Sequence, residues 1–416
     1  MYSIIDKYFI LWSFFIPATT VTISSQIPGS LVSYVFAVIS PIIIFLYRKK
    51  NREKYFFALI LILSIFIFLI CISQLFNEIN NITLQGLYLL SEESLNEKMF
   101  RRSLITQSLY LIMGFLMFLY SKFFYNEKWD KWIIYSGLFF ASYGLYEFIF
   151  SLIFGSNGDF LSNRSYTLGE DSVLQGQDAM FAGMYMKRID SLSMEPSMFS
   201  FTLLPYLIFS FYKSKDKKIT IFFAIIILLS TSTSAYLGLI IFIVYLLFNK
   251  KYIINNKKNI VIIMFFASII YVIFYDYIYD IISIMIINKL MPIFDLESAS
   301  NLAGAASGLD RLSNFIFSIN YWIDLDFIHQ LFGIGFGFHR STDFFGTLLV
   351  NTGVIGNVLF FILNFKNFRL KVRNNVDHMN NIIILSSYII MMVSVPEFGF
   401  PSYWLFLGII YAINNK

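Results

Sequence analysis

Between Tyr8 and Tyr47 the chain runs for forty residues without one charged side chain. A helix needs about 20 mostly apolar residues to cross the hydrocarbon core of a bilayer, so this stretch holds two crossings. The breaker Ser24-Ser25-Gln26-Ile27-Pro28-Gly29 near its middle marks the turn between them. Further uncharged runs cover Phe56–Phe76, Ser103–Tyr120, Ser197–Tyr212, Asn259–Tyr275, Phe344–Phe365, Met379–Pro396 and Phe398–Asn415. Trp132–Phe154 is interrupted only by Glu147. The 31 residues from Ile219 to Asn249 carry Ser230-Thr231-Ser232-Thr233-Ser234 at their centre and read as two short helices meeting at a polar turn. The expected fold is all-α, a polytopic membrane helix bundle of about twelve transmembrane helices forming one integral membrane domain over residues 1–416. A chain that is 57% hydrophobic and 14% charged, with mean hydropathy +0.68, takes lipid as its natural solvent.

Charge placement orients the bundle. With the N-terminus inside, the termini and even-numbered loops hold 22 Lys/Arg against 6 Asp/Glu, and the remainder holds 9 against 20. This positive-inside bias predicts that both ends of the chain are cytoplasmic. The first apolar run follows Asp6 and Lys7 with no small-residue cleavage site after it, so it reads as a retained span. Three external segments are long: 77–102, 155–194 and 281–343. Cys71 is the only cysteine, and His329, His339 and His378 are scattered. That pattern predicts no disulfide framework, no metal site and no cofactor. Nothing in it points to nucleic acid.

The external face is acidic overall, so its few cations stand out: Arg164, Lys187 and Arg188 in one long loop, Lys289, Arg311 and Arg340 in the next. The planar fork of arginine matches phosphate oxygens two at a time, and two arginines from different loops make a clamp for a diphosphate. Each also has an acid beside it, Asp190 next to Arg188 and Asp310 next to Arg311, so plain ion pairing explains them equally well at this level. Glu195-Pro196 opens a span, with Pro196 suited to the first helical position. Glu195 is then either a cap or a positioned carboxylate that accepts a proton. Phe332-Gly333-Ile334-Gly335-Phe336-Gly337 lacks the preceding strand and following helix of a nucleotide loop. Gly353-Val354-Ile355-Gly356 reads as close helix packing. Glu147 lies near the external end of its span and is a functional candidate because it is ionisable there.

Three of these pieces, taken in order, resemble the O-antigen polymerases and ligases of bacterial polysaccharide assembly, including the Wzy-type polymerases. They are Arg188 to Ser197, with its Glu-Pro opening a span; Leu229 to Leu237, the polar turn; and Arg311 followed by Leu331 to Gly337 and Asn351 to Gly356. Together they cover roughly Lys187 to Phe365. Where that family often has an arginine in the polar turn, this chain has Thr233. The ligase His-Asn pair, counted back from Gly353, falls on Thr342 and Asp343, with His339 three residues earlier. The resemblance is therefore closer to a polymerase than to a ligase.

The resemblance implies a GT-C-like fold with large periplasmic loops, set in the bacterial inner membrane. It implies a metal-independent glycosyltransferase joining undecaprenyl-diphosphate-linked oligosaccharide repeat units. Arg188 and Arg311 would meet the charge of the leaving diphosphate, with Glu195 or Asp343 as the base. Arg164, Arg340, His339, Tyr185 and Trp322 would bind substrate; Tyr166, Tyr185, Tyr321 and Trp322 would either stack on sugars or anchor the chain at the membrane interface. The implied partners are lipid-linked donor and acceptor, membrane lipid and a chain-length regulator protein. A ligase, or a transporter of lipid-linked sugars, remains the alternative.

Overall fold

The computed structural model of the chain describes residues 2–24, 29–48, 50–80, 82, 87, 99–156, 158–164, 178–181, 184–193, 195–248, 306–396 and 398–414. The expected span Asn259–Tyr275, Lys289 and Tyr166 lie outside these residues. Helices dominate: α1 Ile4–Ser13, α2 Val32–Tyr47, α3 Arg52–Asn80, α4 Arg102–Phe124, α5 Asp130–Phe154, α6 Pro196–Lys213, α7 Lys217–Leu229 and α8 Thr233–Phe248. After them come α9 Ala306–Ile323, α10 Phe327–Phe332, α11 Phe344–Phe365, α12 Asn375–Ser394 and α13 Pro401–Asn414. The exception to the all-α expectation is a small hairpin of β1 Asp178–Phe181 and β2 Met184–Lys187, paired antiparallel with Asp178 opposite Lys187.

Five helices among the described residues are long and apolar enough to cross a membrane: α3, α4, α5 with the 3-10 turn before it, α11 and α12. The strongest sign of a lipid solvent is the inverted pattern of α3. Its buried residues near one end are Ser73, Gln74 and Asn77, while Phe57, Ile60, Ile67 and Phe68 face outward, each more than half exposed. In water such a helix would expose an apolar patch far larger than soluble monomers carry. The chain is a membrane-embedded helix bundle.

At the bundle's centre stands α6, buried continuously from Pro196 to Ser210 and packed against α5, α7, α8, α12 and α13. The basic segments gather at one end. There the Asp6 carboxylate accepts from Asn126 Nδ2 and Trp129 Nε1, both at 2.8 Å, and Lys213 pairs with Asp130 at 3.4 Å.

The first uncharged run departs from two full spans. Helix α1 has 10 residues, about 15 Å of rise against a ~30 Å hydrocarbon core. Pro17 and the β-branched run Thr19-Thr20-Val21-Thr22-Ile23 favour extended chain over helix. The amides of Thr19 and Thr20 both donate to the Leu192 carbonyl, at 2.8 and 3.2 Å, and Thr22 forms a bridge to Leu31.

Helix α11 is broken within its length. Gly353 has φ 62°, ψ −163°, so the helix stops and restarts there. A break at this depth strands carbonyls, and in lipid each unsatisfied backbone group costs several kcal/mol. The glycine-rich loop supplies the missing donors: Ile334 N–H donates to the Val350 carbonyl at 3.0 Å and Gly335 N–H to Asn351 at 3.1 Å. The Ile334 carbonyl in turn accepts from Asn77 Nδ2 of α3 at 2.6 Å. Gly353 thus lets the last turn of α10 pack closely on α11, and the loop that follows α10 covers the break. A Cβ on Gly353 would lie 2.4 Å from the Leu331 carbonyl carbon.

Candidate active site

The segment from Arg188 to Glu195 sits at the end of the bundle away from the basic cluster. Its folding is set by contacts on three sides. Ser191 Oγ donates to the Phe140 carbonyl of α5 at 2.8 Å, and Gly144 leaves room for Ile189 and Ser191 against the same helix. The Leu192 carbonyl holds Thr19 and Thr20. Pro196 at the first turn of α6 makes Glu195 the N-cap residue, as its missing N–H allows.

The Arg188 guanidinium turns toward the polar turn between α7 and α8. Its Nε–H donates to Thr231 Oγ1 and its Nη2 to the Thr231 carbonyl, both at 3.0 Å. Two hydroxyl pairs hold that turn in place: Ser230 with Ser200 of α6 at 2.9 Å and Ser234 with Ser394 of α12 at 2.7 Å.

Arg311 comes from α9, roughly one hundred and twenty residues further on, and reaches the same region. The carboxylates that act on it are Glu195 and Asp343, and not its chain neighbour Asp310. Arg188 feels Tyr236, Asp190, Glu195 and the like charge of Arg311. Burial pulls both guanidinium groups below their ordinary range, and the carboxylates, together with Tyr236 beside Arg188, oppose that pull. Both arginines stay charged. The structure therefore brings Arg188, Arg311, Glu195 and Asp343, separated by up to 155 residues, into one electrostatic cluster.

The two carboxylates differ in environment. Asp343 is 4% exposed and caps α11. One of its oxygens accepts from Gly346 N–H and the other from Ser341 Oγ, each at 2.6 Å. Burial raises its pKa, and these hydrogen bonds with Arg311 work against the rise. Glu195 is half-buried and makes no side-chain cap bond, and its carboxylate accepts only from Ser197 Oγ at 3.1 Å among the described contacts. Among the described residues the Arg311 guanidinium has no direct hydrogen bond or ion pair; its attraction to Glu195 and Asp343 acts across a gap.

The remaining expected residues make other contacts. Arg164 donates from Nη1 to the Thr19 carbonyl at 3.0 Å and ties its loop to the extended chain after α1. Trp322 donates to the Gln330 carbonyl at 3.0 Å and packs with Tyr321, Ile334 and Phe338 in a small separate core. Tyr185 stands in β2 opposite Met180. Arg340 is half-buried in the loop before α11. Glu147 is 1% exposed, one helical turn from Gly144, so it meets protein rather than water.

His339 is 1% exposed and held by Ser318 and Asn351. Ser318 Oγ donates to the Asn314 carbonyl, so it accepts from His339 Nε2–H at 2.9 Å, which leaves Nδ1 without a proton. Burial pushes the ring down to about 4 from 6.5. The unfolded chain takes this proton as pH falls through about 6.5, while the folded chain refuses it until about 4. Stability is therefore full above pH 6.5 and lost toward pH 4, by at most about 3 kcal/mol. His339→Asn is expected to flatten the fall in thermal stability across that window; an unchanged slope would exclude the ring as its source.

A cavity of about 260 Å³ lies beside α11, lined by Phe66, Phe115, Leu348, Phe360 and Trp404 among others. Neither arginine nor either carboxylate of the cluster borders it.

Comparison with protein-family models, curated proteins and solved structures finds no significant match.

The cluster's working parts were partly hidden from sequence reading. Thr231, Tyr236 and Ser341 carry no motif of their own. The signal for Thr231 was its place in a serine and threonine run inside an apolar stretch.

Proposed function

We propose that the chain is a membrane glycosyltransferase that joins lipid-linked oligosaccharide repeat units into a polysaccharide. The observation that carries the reading is the convergence of Arg188 and Arg311, from separate segments, on one half-buried site with Glu195 between their fields. Helices α6, α8 and α11 begin at this site, and their N-termini add partial positive charge. Such a site suits a leaving group that develops anionic charge.

In this reading the donor is an oligosaccharide on undecaprenyl diphosphate, and the acceptor is the sugar end of a second such lipid. A hydroxyl of the acceptor attacks the anomeric carbon of the donor sugar. The new glycosidic C–O bond forms as the bond to the diphosphate oxygen breaks. The hydroxyl proton passes to Glu195, and the lipid diphosphate leaves against Arg188 and Arg311. The contacts of Asp343 favour a supporting role for it, since one oxygen caps α11 and the other accepts from Ser341. No metal or cofactor has a part. The bundle would have about twelve spans of GT-C-like type in the inner membrane, with both termini cytoplasmic and the site open to the periplasm.

The break in α11 favours a second reading, a transporter of lipid-linked sugars, because discontinuous helices form transporter sites. Here loop amides occupy the two carbonyls at the break, which counts against it. Purified protein in vesicles with undecaprenyl-diphosphate-linked repeat units tests the choice. Products longer than one repeat with equal release of undecaprenyl diphosphate are expected. Movement of the lipid between leaflets without release would replace the polymerase by a transporter. Transfer of preformed polymer to a lipid A core, without elongation, would replace it by a ligase.

A further inference from the structure

Thr231 has φ 48°, a left-handed backbone that a β-branched residue rarely adopts. Backbone outliers of this kind persist where the surroundings hold them, and they gather at functional sites. The surroundings here are the two hydroxyl pairs on either side, Ser230 with Ser200 and Ser234 with Ser394. They pin the turn to α6 and α12. The Ser230 hydroxyl goes to the Ile227 carbonyl of α7 and to Ser200, and that of Ser234 to Ser394, while Thr231 directs both its hydroxyl and its carbonyl to one guanidinium. The left-handed conformation aims a carbonyl and a side-chain oxygen of one residue in the same direction. Their spacing matches the fork of an arginine, which fixes both the position and the plane of the group.

We infer that Thr231 is a positioning residue: it holds the Arg188 guanidinium in the orientation that presents it, with Arg311, to a bound diphosphate. The inference rests on the reading of Arg188 as the group that meets the leaving diphosphate. It adds a specific consequence, that a hydroxyl inside the bundle controls anion affinity at a loop arginine it touches. A threonine in this role is replaceable by serine, which keeps the oxygen, and not by valine, which keeps the shape and the backbone cost but loses the acceptor. Glycine separates backbone from side chain, because it takes φ 48° without strain and lacks Oγ1.

The test uses the full chain in lipid nanodiscs, with inorganic pyrophosphate as the anion probe and elongation of lipid-linked repeats as the activity. Thr231→Val is expected to weaken pyrophosphate binding and lower kcat by about tenfold or more, as loss of a hydrogen bond to a charged group does. Thr231→Ser is expected to stay within about twofold of the parent. Thr231→Gly is expected to match valine in affinity while keeping or raising the thermal midpoint. Variants that shift only the thermal midpoint, with affinity and kcat unchanged, overturn the inference, because Thr231 then merely packs the turn. Arg188→Ala separates this failure from failure of the wider reading. If Arg188→Ala loses pyrophosphate while Thr231→Val keeps it, the positioning role alone falls. If Arg188→Ala changes neither affinity nor kcat, the diphosphate reading of the arginine falls and takes the inference with it.

Discussion

Cells carrying Arg311→Ala as their only copy are expected to make surface sugar of single repeat length, with long chains reduced at least a hundredfold. The reasoning starts from what Arg311 touches. It has no direct ion pair among the described residues, yet it lies in the fields of Glu195 and Asp343. Losing it removes a cation from a half-buried site without breaking a hydrogen bond that holds the fold. Removal of one preorganised group that meets developing charge typically costs 10²–10³ in turnover, about 3–4 kcal/mol of barrier. Lysine at 311 keeps the charge and loses the fork, so Arg311→Lys should fall between the two. The protein's thermal midpoint in detergent serves as the control, and it should change little. A full-length polysaccharide ladder from Arg311→Ala would end the proposed assignment. A ladder lost together with the folded protein would show that Arg311 holds the fold instead.

A larger effect on the molecule itself is expected from Gly353→Ala. The methyl would sit 2.4 Å from both the carbon and the oxygen of the Leu331 carbonyl, and alanine at φ 62° carries its own backbone cost. Backbone atoms give way far less than side chains, so the end of α10 and the loop after it would be driven off α11. With it would go the Ile334 and Gly335 amides that satisfy Val350 and Asn351. Two stranded carbonyls in a water-poor region and the local strain together amount to on the order of 4 kcal/mol or more. The thermal midpoint of the purified protein should drop sharply. Gly333→Ala should do the same, since its methyl would meet the Asn351 carbonyl carbon at 2.3 Å. Gly155→Ala is the control: Gly155 also has positive φ, at 64°, but a methyl there meets nothing within 4 Å. It should cost about 1 kcal/mol. Equal losses at 155 and 353 would mean that conformation alone, and not the close approach of α10, governs both.

Sequence reading recovered what depends on solvent preference. Runs such as Phe56–Phe76 and Ser103–Tyr120 fall inside α3 and α4, because a side chain's liking for lipid is its own property. Local signals also served: Pro196 placed the start of α6, and the serine-threonine run separated α7 from α8. What failed depended on partners far along the chain. Nothing near Tyr8–Tyr47 announces that Thr19 and Thr20 will pair with Leu192, so the short α1 was not foreseen. Gly353-Val354-Ile355-Gly356 reads as a small-residue helix contact, and α10 does pack there, but nothing near it announces that the loop after α10 will bond to the carbonyls of Val350 and Asn351. For the candidate site, residue type was legible and company was not. Arg311 and Arg188 stood out as scarce cations, but Arg311 faces Glu195 and Asp343 rather than the neighbouring Asp310, a choice made by the packing of α9 on α11.

The Leu192 carbonyl that receives the Thr19 and Thr20 amides also bears on how the chain is made. The two halves of that contact are 173 residues apart, so at roughly 5–20 residues per second the ribosome needs about 9–35 s to supply the second after the first. Throughout that interval the stretch after α1 carries amides whose native acceptor has not been synthesised. Hydrocarbon offers no substitute, so the nascent segment has to wait at the membrane surface or in the care of the insertion machinery. The extended stretch after α1 thus takes its final place only once Leu192 has been made, well after the helices on either side of it.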